Sequence, residues 1–561
     1  MTFNDNETKK IKHLPYMRKI KNLLFILSVL AYSNAVAQKV PDQSQDVIKN
    51  FDAKLLESEK IKINPVLPPV DTTTKAQSYS PPSKVLGIEY QPPRLRPIGI
   101  ATEKIPPQYN GYAKLGYGFP NSPYGELAYR YGDPKQYLVG LNIKHHSAED
   151  KKIENQRFSK TNVEATGTFY ANAGIAVDGK LFFNNDVNHY YGYNQVSDTS
   201  FNREAVKQSF NTFGASLRAY NSVRTVADFN YGVGVSFYNL HDNFSSKETD
   251  FNVKLEAMKW FSEKHPLSLV LRTDFTKYDT TDAGKSQTLN NIYVQPSFTF
   301  KGGVYSIKLG ANLISHEDQF YPKPDIEANL NLAGNKLGVF AGWRGDFTKN
   351  SYRNLTKYNP FIYSRQKIEN TDMTEYYGGI KGSLSGFDYS VQAGYSDNKN
   401  LALFLSDTLD LKRRFKVVYD TVKISNIRAA ITMRPITGLE LTATASQNVY
   451  AKKRELAAWG LPSLDINIGA KYTIINDPKS QTFANLKAGL FIQNGVNYIN
   501  KAKQPDRLNG LMDLSLGGEL FFNKNIGVFL DVNNLLNLKR ERWYNYPTFG
   551  MNILGGISAR F

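Results

Sequence analysis

Seven histidines are the side chains best suited to acid–base or metal chemistry in this sequence: His13, His145, His146, His189, His241, His265 and His316. His145-His146 stands close to Glu149 and Asp150, and His316 is followed by Glu317 and Asp318, so each group has metal-ligand residue types at hand. Adjacent residues of an extended chain point to opposite faces, which argues against His145 and His146 sharing one ion. His316-Glu317-Asp318 reads as a solvated loop cluster. No G-x-S-x-G elbow, H-E-x-x-H helix or phosphate loop occurs, and Gly116-Tyr117-Gly118 reads as strand glycines rather than a nucleotide motif. Cysteine is absent, which removes disulfides, thiolate metal sites and a lipid-modified cysteine. A Ser–His pair could form only by spatial convergence, which a sequence does not display. No catalytic, cofactor-binding or metal residue is therefore assigned. Substrate-binding residues are left open, and the chain is read as a non-enzyme without a cofactor.

The elements that position these residues are strands. The chain has 561 residues with 40 Gly, 35 Tyr and 33 Phe, a β-rich composition. Mean hydropathy is −0.44, which suits a sheet whose apolar and wet residues alternate so that no window averages as apolar. From residue 110 onward the period is two. Phe229, Tyr231, Val233, Val235 and Phe237 share one face, and Asn230, Gly232, Gly234 and Ser236 share the other. Tyr305 to Leu313, Leu464 to Tyr472 and Met512 to Phe522 repeat the pattern. Soluble strands average about five or six residues. These runs are mostly longer, as a tilted strand crossing a bilayer must be. About twenty-two strands are expected, from 110–119 to 548–561, with 386–435 the segment most able to hide another hairpin.

Turn chemistry tests that number. Every second connection is tight, and most of these carry turn formers, as at Gly132-Asp133-Pro134-Lys135, Lys301-Gly302, Gly334 and Pro435-Ile436. The long polar connections 148–159, 188–204, 349–370, 451–461, 495–508 and 535–547 all fall on the opposite side, the extracellular one in such barrels. Tyr190, Tyr191, Tyr193, Trp543, Tyr544 and Tyr546 flank two of these loops and suit the lipid–water boundary.

Ahead of the strands, Arg18, Lys19 and Lys21 precede an apolar run from Leu23 to Ala31 and the small-x-small site Ala35-Val36-Ala37. Residues 1–37 therefore read as an N-terminal extension and signal peptide, cleaved after Ala37. Ten prolines fall between Pro65 and Pro107, four times as pairs, so 38–109 reads as an extended proline-rich periplasmic arm. The net charge of +18 is spread along the chain with no basic run, which argues for anionic lipid headgroups rather than nucleic acid.

The chain ends on an alternating strand, with Met551, Ile553, Ile557, Ala559 and Phe561 on one face. A terminal Phe561 on such a strand resembles the signal read by the barrel-assembly machinery. Val528 to Asn533, the corner Asn534-Leu535-Leu536-Asn537, the aromatic loop Trp543-Tyr544-Asn545-Tyr546-Pro547 and this last strand together resemble the C-terminus of TonB-dependent receptors. The resemblance implies a twenty-two-stranded outer-membrane barrel at 110–561 that binds or passes a solute. It also implies a large plug domain and a TonB-contacting box, but only 72 proline-rich residues separate Gln38 from the barrel, so energy-coupled import is not carried over. A bore this wide cannot be filled by its own wall side chains. Three fillers are expected candidates: the arm 38–109, inward-folded loops such as 349–370, or a periplasmic or lumenal partner protein. Arg272, Lys308, Lys471 and Lys487, interleaved with Asp228, Asp274, Asp465, Asp513 and Glu519, predict a mixed and slightly basic bore. The expected function is passage or binding of a solute across the outer membrane. The alternative is a structural or assembly subunit that docks partners through 38–109.

Overall fold

The computed structural model describes residues 109–561 apart from 172–173, 196–198, 281–285 and 478–481. The expected signal peptide and all but the last residue of the arm lie outside the described residues.

Twenty-two antiparallel strands form one closed sheet. In chain order they are β1 (Gly111–Phe119), β2 (Ser122–Asp133), β3 (Tyr137–Glu149), β4 (Arg157–Tyr170), β5 (Ile175–His189), β6 (Lys207–Asn221), β7 (Phe229–Asp242) and β8 (Lys247–Phe261). Then follow β9 (His265–Asp279), β10 (Gln287–Lys301), β11 (Tyr305–His316), β12 (Gln319–Asn331), β13 (Gly338–Asn350), β14 (Glu369–Leu384) and β15 (Phe387–Ser406). The remainder are β16 (Phe415–Met433), β17 (Leu439–Lys452), β18 (Leu464–Asp477), β19 (Thr482–Asn494), β20 (Leu511–Phe521), β21 (Ile526–Asn533) and β22 (Asn552–Arg560). Every strand pairs with its sequence neighbours, and β22 closes on β1. No hairpin is hidden in 386–435, which is the single pair β15–β16.

The alternation read from sequence sorts the wall. Tyr231, Val233, Val235 and Phe237 are exposed on the outside, as are Leu115, Tyr117 and Phe119 of β1. Closure leaves no free sheet edge, and an apolar outer face satisfies the lipid, so the chain is an outer-membrane barrel. Among the described residues no helix is long and apolar enough to cross a membrane. The bore face is wet, with ion pairs such as Lys114–Asp531 (3.2 Å), Arg218–Glu256 (2.9 Å) and Arg344–Glu375 (2.6 Å) joining lumen-facing side chains.

The seam between β1 and β22 is packed backbone to backbone. Gly116 pairs with Gly556, and a Cβ on Gly556 would sit 2.0 Å from the Leu115 carbonyl oxygen and 2.6 Å from the Gly116 Cα. No flexible side chain can yield there. Gly556→Val is expected to cost about 3 kcal/mol or more by overpacking, read as loss of the compact, heat-modifiable band on cold electrophoresis.

Local turns set the starts of β6 and β7. Residues Arg203–Val206 form a 3-10 turn ahead of β6, with Asn202 accepting from the Glu204 N–H. Ahead of β7, Asp228 adopts φ 54° in a turn whose edge is held by the Asn221 side chain. Asp228 is thus a turn residue and not part of the bore lining.

Candidate functional site

The extracellular end of the bore is filled by the chain itself. Pairing between β12 and β13 stops at Asp325↔Arg344, and pairing between β14 and β15 stops at Asp372↔Lys399. The β13–β14 hairpin continues alone to Asn350↔Glu369. Past Arg344 it turns into the bore and lays its former outer face against the inner wall. Phe347, which alternation assigns to lipid, is buried with Tyr293 and Ile314. Lys349 reaches Asp250 at 2.5 Å and Asp274 at 3.6 Å on β8 and β9. Asn370 donates to Asn291 (2.8 Å), and Asn312 donates to the Gly345 carbonyl (2.7 Å).

The loop 351–368 crowns this hairpin. It opens with a short helix, α1 (Tyr352–Tyr358), capped by Ser351, whose hydroxyl accepts from the Asn354 N–H. The Glu248 carboxylate accepts the Tyr352 and Arg353 N–H groups at 2.5 and 3.2 Å and the Tyr238 hydroxyl at 2.8 Å. A carboxylate at a helix start satisfies donors that have no intrahelical partner. The Tyr352 hydroxyl donates to Asp242 at 2.7 Å. Tyr352, Leu355, Ile362 and Ile368 then pack into one buried cluster with Phe210, Leu240, Tyr278 and Leu289 of the wall.

Neighbouring loops complete the cap. The β15–β16 hairpin projects beyond β14 after a bulge between Asn398 and Leu401. Phe415 exchanges backbone hydrogen bonds with Phe361 (3.0 Å) and Tyr363 (3.1 Å). Tyr546 stacks on Phe361 with ring centroids 3.8 Å apart, and Trp543 packs on Phe404 and Phe415. Asp420, fully buried, accepts the backbone N–H groups of Thr421, Lys453, Arg454 and Glu455 and so fixes the 453–463 loop.

These contacts correct the girdle expectation. Tyr190, Tyr191, Tyr193, Trp543 and Tyr546 are all less than 9% exposed. They form the cap interior rather than a lipid–water belt. The single hydrogen of the Tyr190 hydroxyl is shared between the Gln208 side-chain oxygen and the Ile362 carbonyl, and Tyr191 donates to the Pro547 carbonyl. The density of rings in these two loops was the available signal, since a belt needs rings on strands at one membrane depth.

The other predicted positions scatter. His145 lies 2.8 Å from Thr161 Oγ1, and His146 lies 3.2 Å from Ser122 Oγ, on opposite faces of β3. His316 is mostly buried against Phe347 and not solvated, because the infolded hairpin covers it. Arg272 lines the bore over the Tyr293 ring and faces Asp346, and Lys308 pairs with Asp325. Lys471 and Lys487 oppose each other across β18–β19. Asp465 accepts from Gln493, Asp513 from Ser515 and Glu519 from the Tyr112 hydroxyl. The structure brings none of these together as a site. Glu248, Asp242, Asp250, Lys349 and Asp420, which do organise the cap, were not singled out from sequence.

The corner Asn534-Leu535-Leu536-Asn537 has a structural purpose. Asn534 adopts φ 48°, its amide donates to the Leu538 and Phe549 carbonyls, and its oxygen accepts the Leu538 N–H. One side chain thereby satisfies both arms of the loop that leads to β22.

No family model and no curated protein matches the chain. Solved structures do match. The ferric enterobactin receptor PfeA from Pseudomonas aeruginosa aligns with a TM-score of 0.59 at 11% identity, over 82% of this chain and 81% of that one. The ferric-catecholate import receptor Fiu from E. coli aligns with a TM-score of 0.59 at 9% identity, over 81% and 82%. The ferripyoverdine receptor of the outer membrane of Pseudomonas aeruginosa, bound to ferripyoverdine, aligns at 0.57 and 12% identity, over 82% and 72%. The fold is that of outer-membrane receptor barrels. At these identities the likeness concerns the barrel's architecture, and the cap described above is read from this chain's own contacts.

Proposed function

We propose that this barrel is an outer-membrane receptor for a water-soluble solute, and that the infolded β13–β14 hairpin with 351–368 is the part that must be displaced for the solute to pass. The observation that carries this reading is the cap itself. It is an interior built from loops, wedged into the extracellular end of a bore with a polar, charge-lined wall. A purely structural barrel has no need of a wet bore closed by a separable insert. The receptor neighbours support the same reading at the level of fold.

A tether tests it. The Ser246 hydroxyl donates to the Ser364 carbonyl at 2.8 Å, and the chain contains no cysteine of its own. Ser246→Cys with Ser364→Cys places two thiols on contacting segments, and a disulfide between them would pin the cap to the β7–β8 turn. Solute uptake by intact cells is expected to fall on oxidation and recover on reduction. Uptake that ignores the disulfide contradicts the reading.

We further propose that Phe561 serves as the handle for the assembly machinery. Its ring is half exposed beside Tyr129, while its backbone exchanges two hydrogen bonds with Gly111 to finish the seam.

A further inference from the structure

A polar cleft of about 150 Å³ lies between α1 and the lumen face of β4–β7. Lys160, Asn184, Asp186 and Asn188 line it from the wall, and Arg353 and Lys357 line it from the cap. Phe210 and Leu240 supply an apolar side. Three cations therefore face one carboxylate. Asp186 lies in the field of all three. Among the described residues none of the three forms an ion pair, whereas most lumen-facing cations elsewhere in the wall do.

Arg353 is the most telling. Its guanidinium sits over the rings of Tyr238 (4.3 Å) and Phe182 (5.2 Å), and its Nε is buried without a hydrogen-bond partner. A buried donor left unmade is costly, and an acceptor seated beside the guanidinium would satisfy it. Lys357 keeps contact with water, yet partial desolvation with Arg353 nearby lowers its ammonium from the usual lysine range, a penalty that a bound anion would relieve.

We propose that this cleft binds a small organic di- or tricarboxylate. The excess positive charge selects an anion, and the planar guanidinium suits a carboxylate. The Asn184 and Asn188 amides suit hydroxyl groups, and the Phe210–Leu240 side suits a short carbon skeleton. The volume exceeds what a bare inorganic ion would fill. This inference deepens the receptor reading by naming a solute class and assigns the site to the underside of the cap, where solute and cap displacement would be coupled.

Calorimetric titration of the detergent-solubilised full chain tests it, with citrate as probe, inorganic phosphate as the small-anion comparison and sucrose as the neutral control. Saturable citrate binding that weakens with added salt is expected. Lys160→Gln with Lys357→Gln should weaken it at least about tenfold, and Asp186→Asn should strengthen it several-fold, by removing attraction and repulsion respectively. Among the described residues neither lysine side chain has a hydrogen-bond or ion-pair partner, and cold electrophoresis checks that each variant is folded. The proposal is overturned if citrate does not saturate, if the double variant binds citrate as the parent does, or if phosphate binds more tightly than citrate. Each of these readouts is independent of uptake, so the site can fail while the gating account stands, and the reverse.

Discussion

Excising residues 351–368 and joining Asn350 to Glu369 through an Asn-Gly turn should raise the single-channel conductance of the reconstituted barrel about tenfold or more. The join is geometrically natural, because Asn350 and Glu369 are already a directly opposed pair and a two-residue turn closes such a hairpin. The barrel wall loses nothing, since every strand pairing among β1–β22 lies outside the excised segment. What is lost is α1 and the Ile362–Ile368 stretch, and with them the packing against Phe210, Leu240, Tyr278 and Leu289. A conductance that stays at the parent level would mean that something other than this loop closes the bore.

Glu248→Ala carries the second large effect. Glu248 is fully buried and accepts three hydrogen bonds, two of them from the N-terminus of α1. Alanine leaves the Tyr352 and Arg353 N–H groups and the Tyr238 hydroxyl without an acceptor, at a cost of roughly 2–4 kcal/mol. That cost falls on the cap and not on the barrel, because the β7–β8 and β8–β9 ladders are backbone pairings that the side chain does not enter. The expected result is local. Trypsin added outside cells should cut after Arg353 and Lys357 in the variant and spare the parent, while the heat-modifiable band persists in both. Glu248→Gln keeps an acceptor oxygen and should give an intermediate rate.

The wall was legible in the sequence and the cap was not, for one physical reason each. A strand's face assignment is local: Tyr231, Val233 and Val235 alternate with Asn230, Gly232 and Gly234 whatever lies far away. Turn residues such as Gly334 and Pro435 then fix the parity, and the strand number follows. The cap obeys the same local rule while the frame around it rotates. Phe347 and Lys349 continue the alternation that places Val339 and Trp343 toward lipid, yet the hairpin has folded inward and the same face now meets Asp250, Asp274 and Tyr293. No residue between 344 and 350 announces that turn. The decisive fact is tertiary, namely that β12 and β15 stop pairing early. Segment 349–370 enters the sequence reading only as one of three candidate fillers, because a bore this wide needs one. Its aromatic partners in 190–193 and 543–546 suit a membrane boundary by residue type, and only their crowding into two loops favours a buried core.

The account rests on the cap being a packed interior and not a set of draping loops. Amide hydrogen exchange of residues 352–359, followed by mass spectrometry on the full chain in lipid vesicles, measures that directly. Exchange slowed by about a thousandfold or more, an opening free energy of roughly 4 kcal/mol, is the result this structure predicts. Exchange complete within seconds, at the rate of an exposed loop, would contradict it.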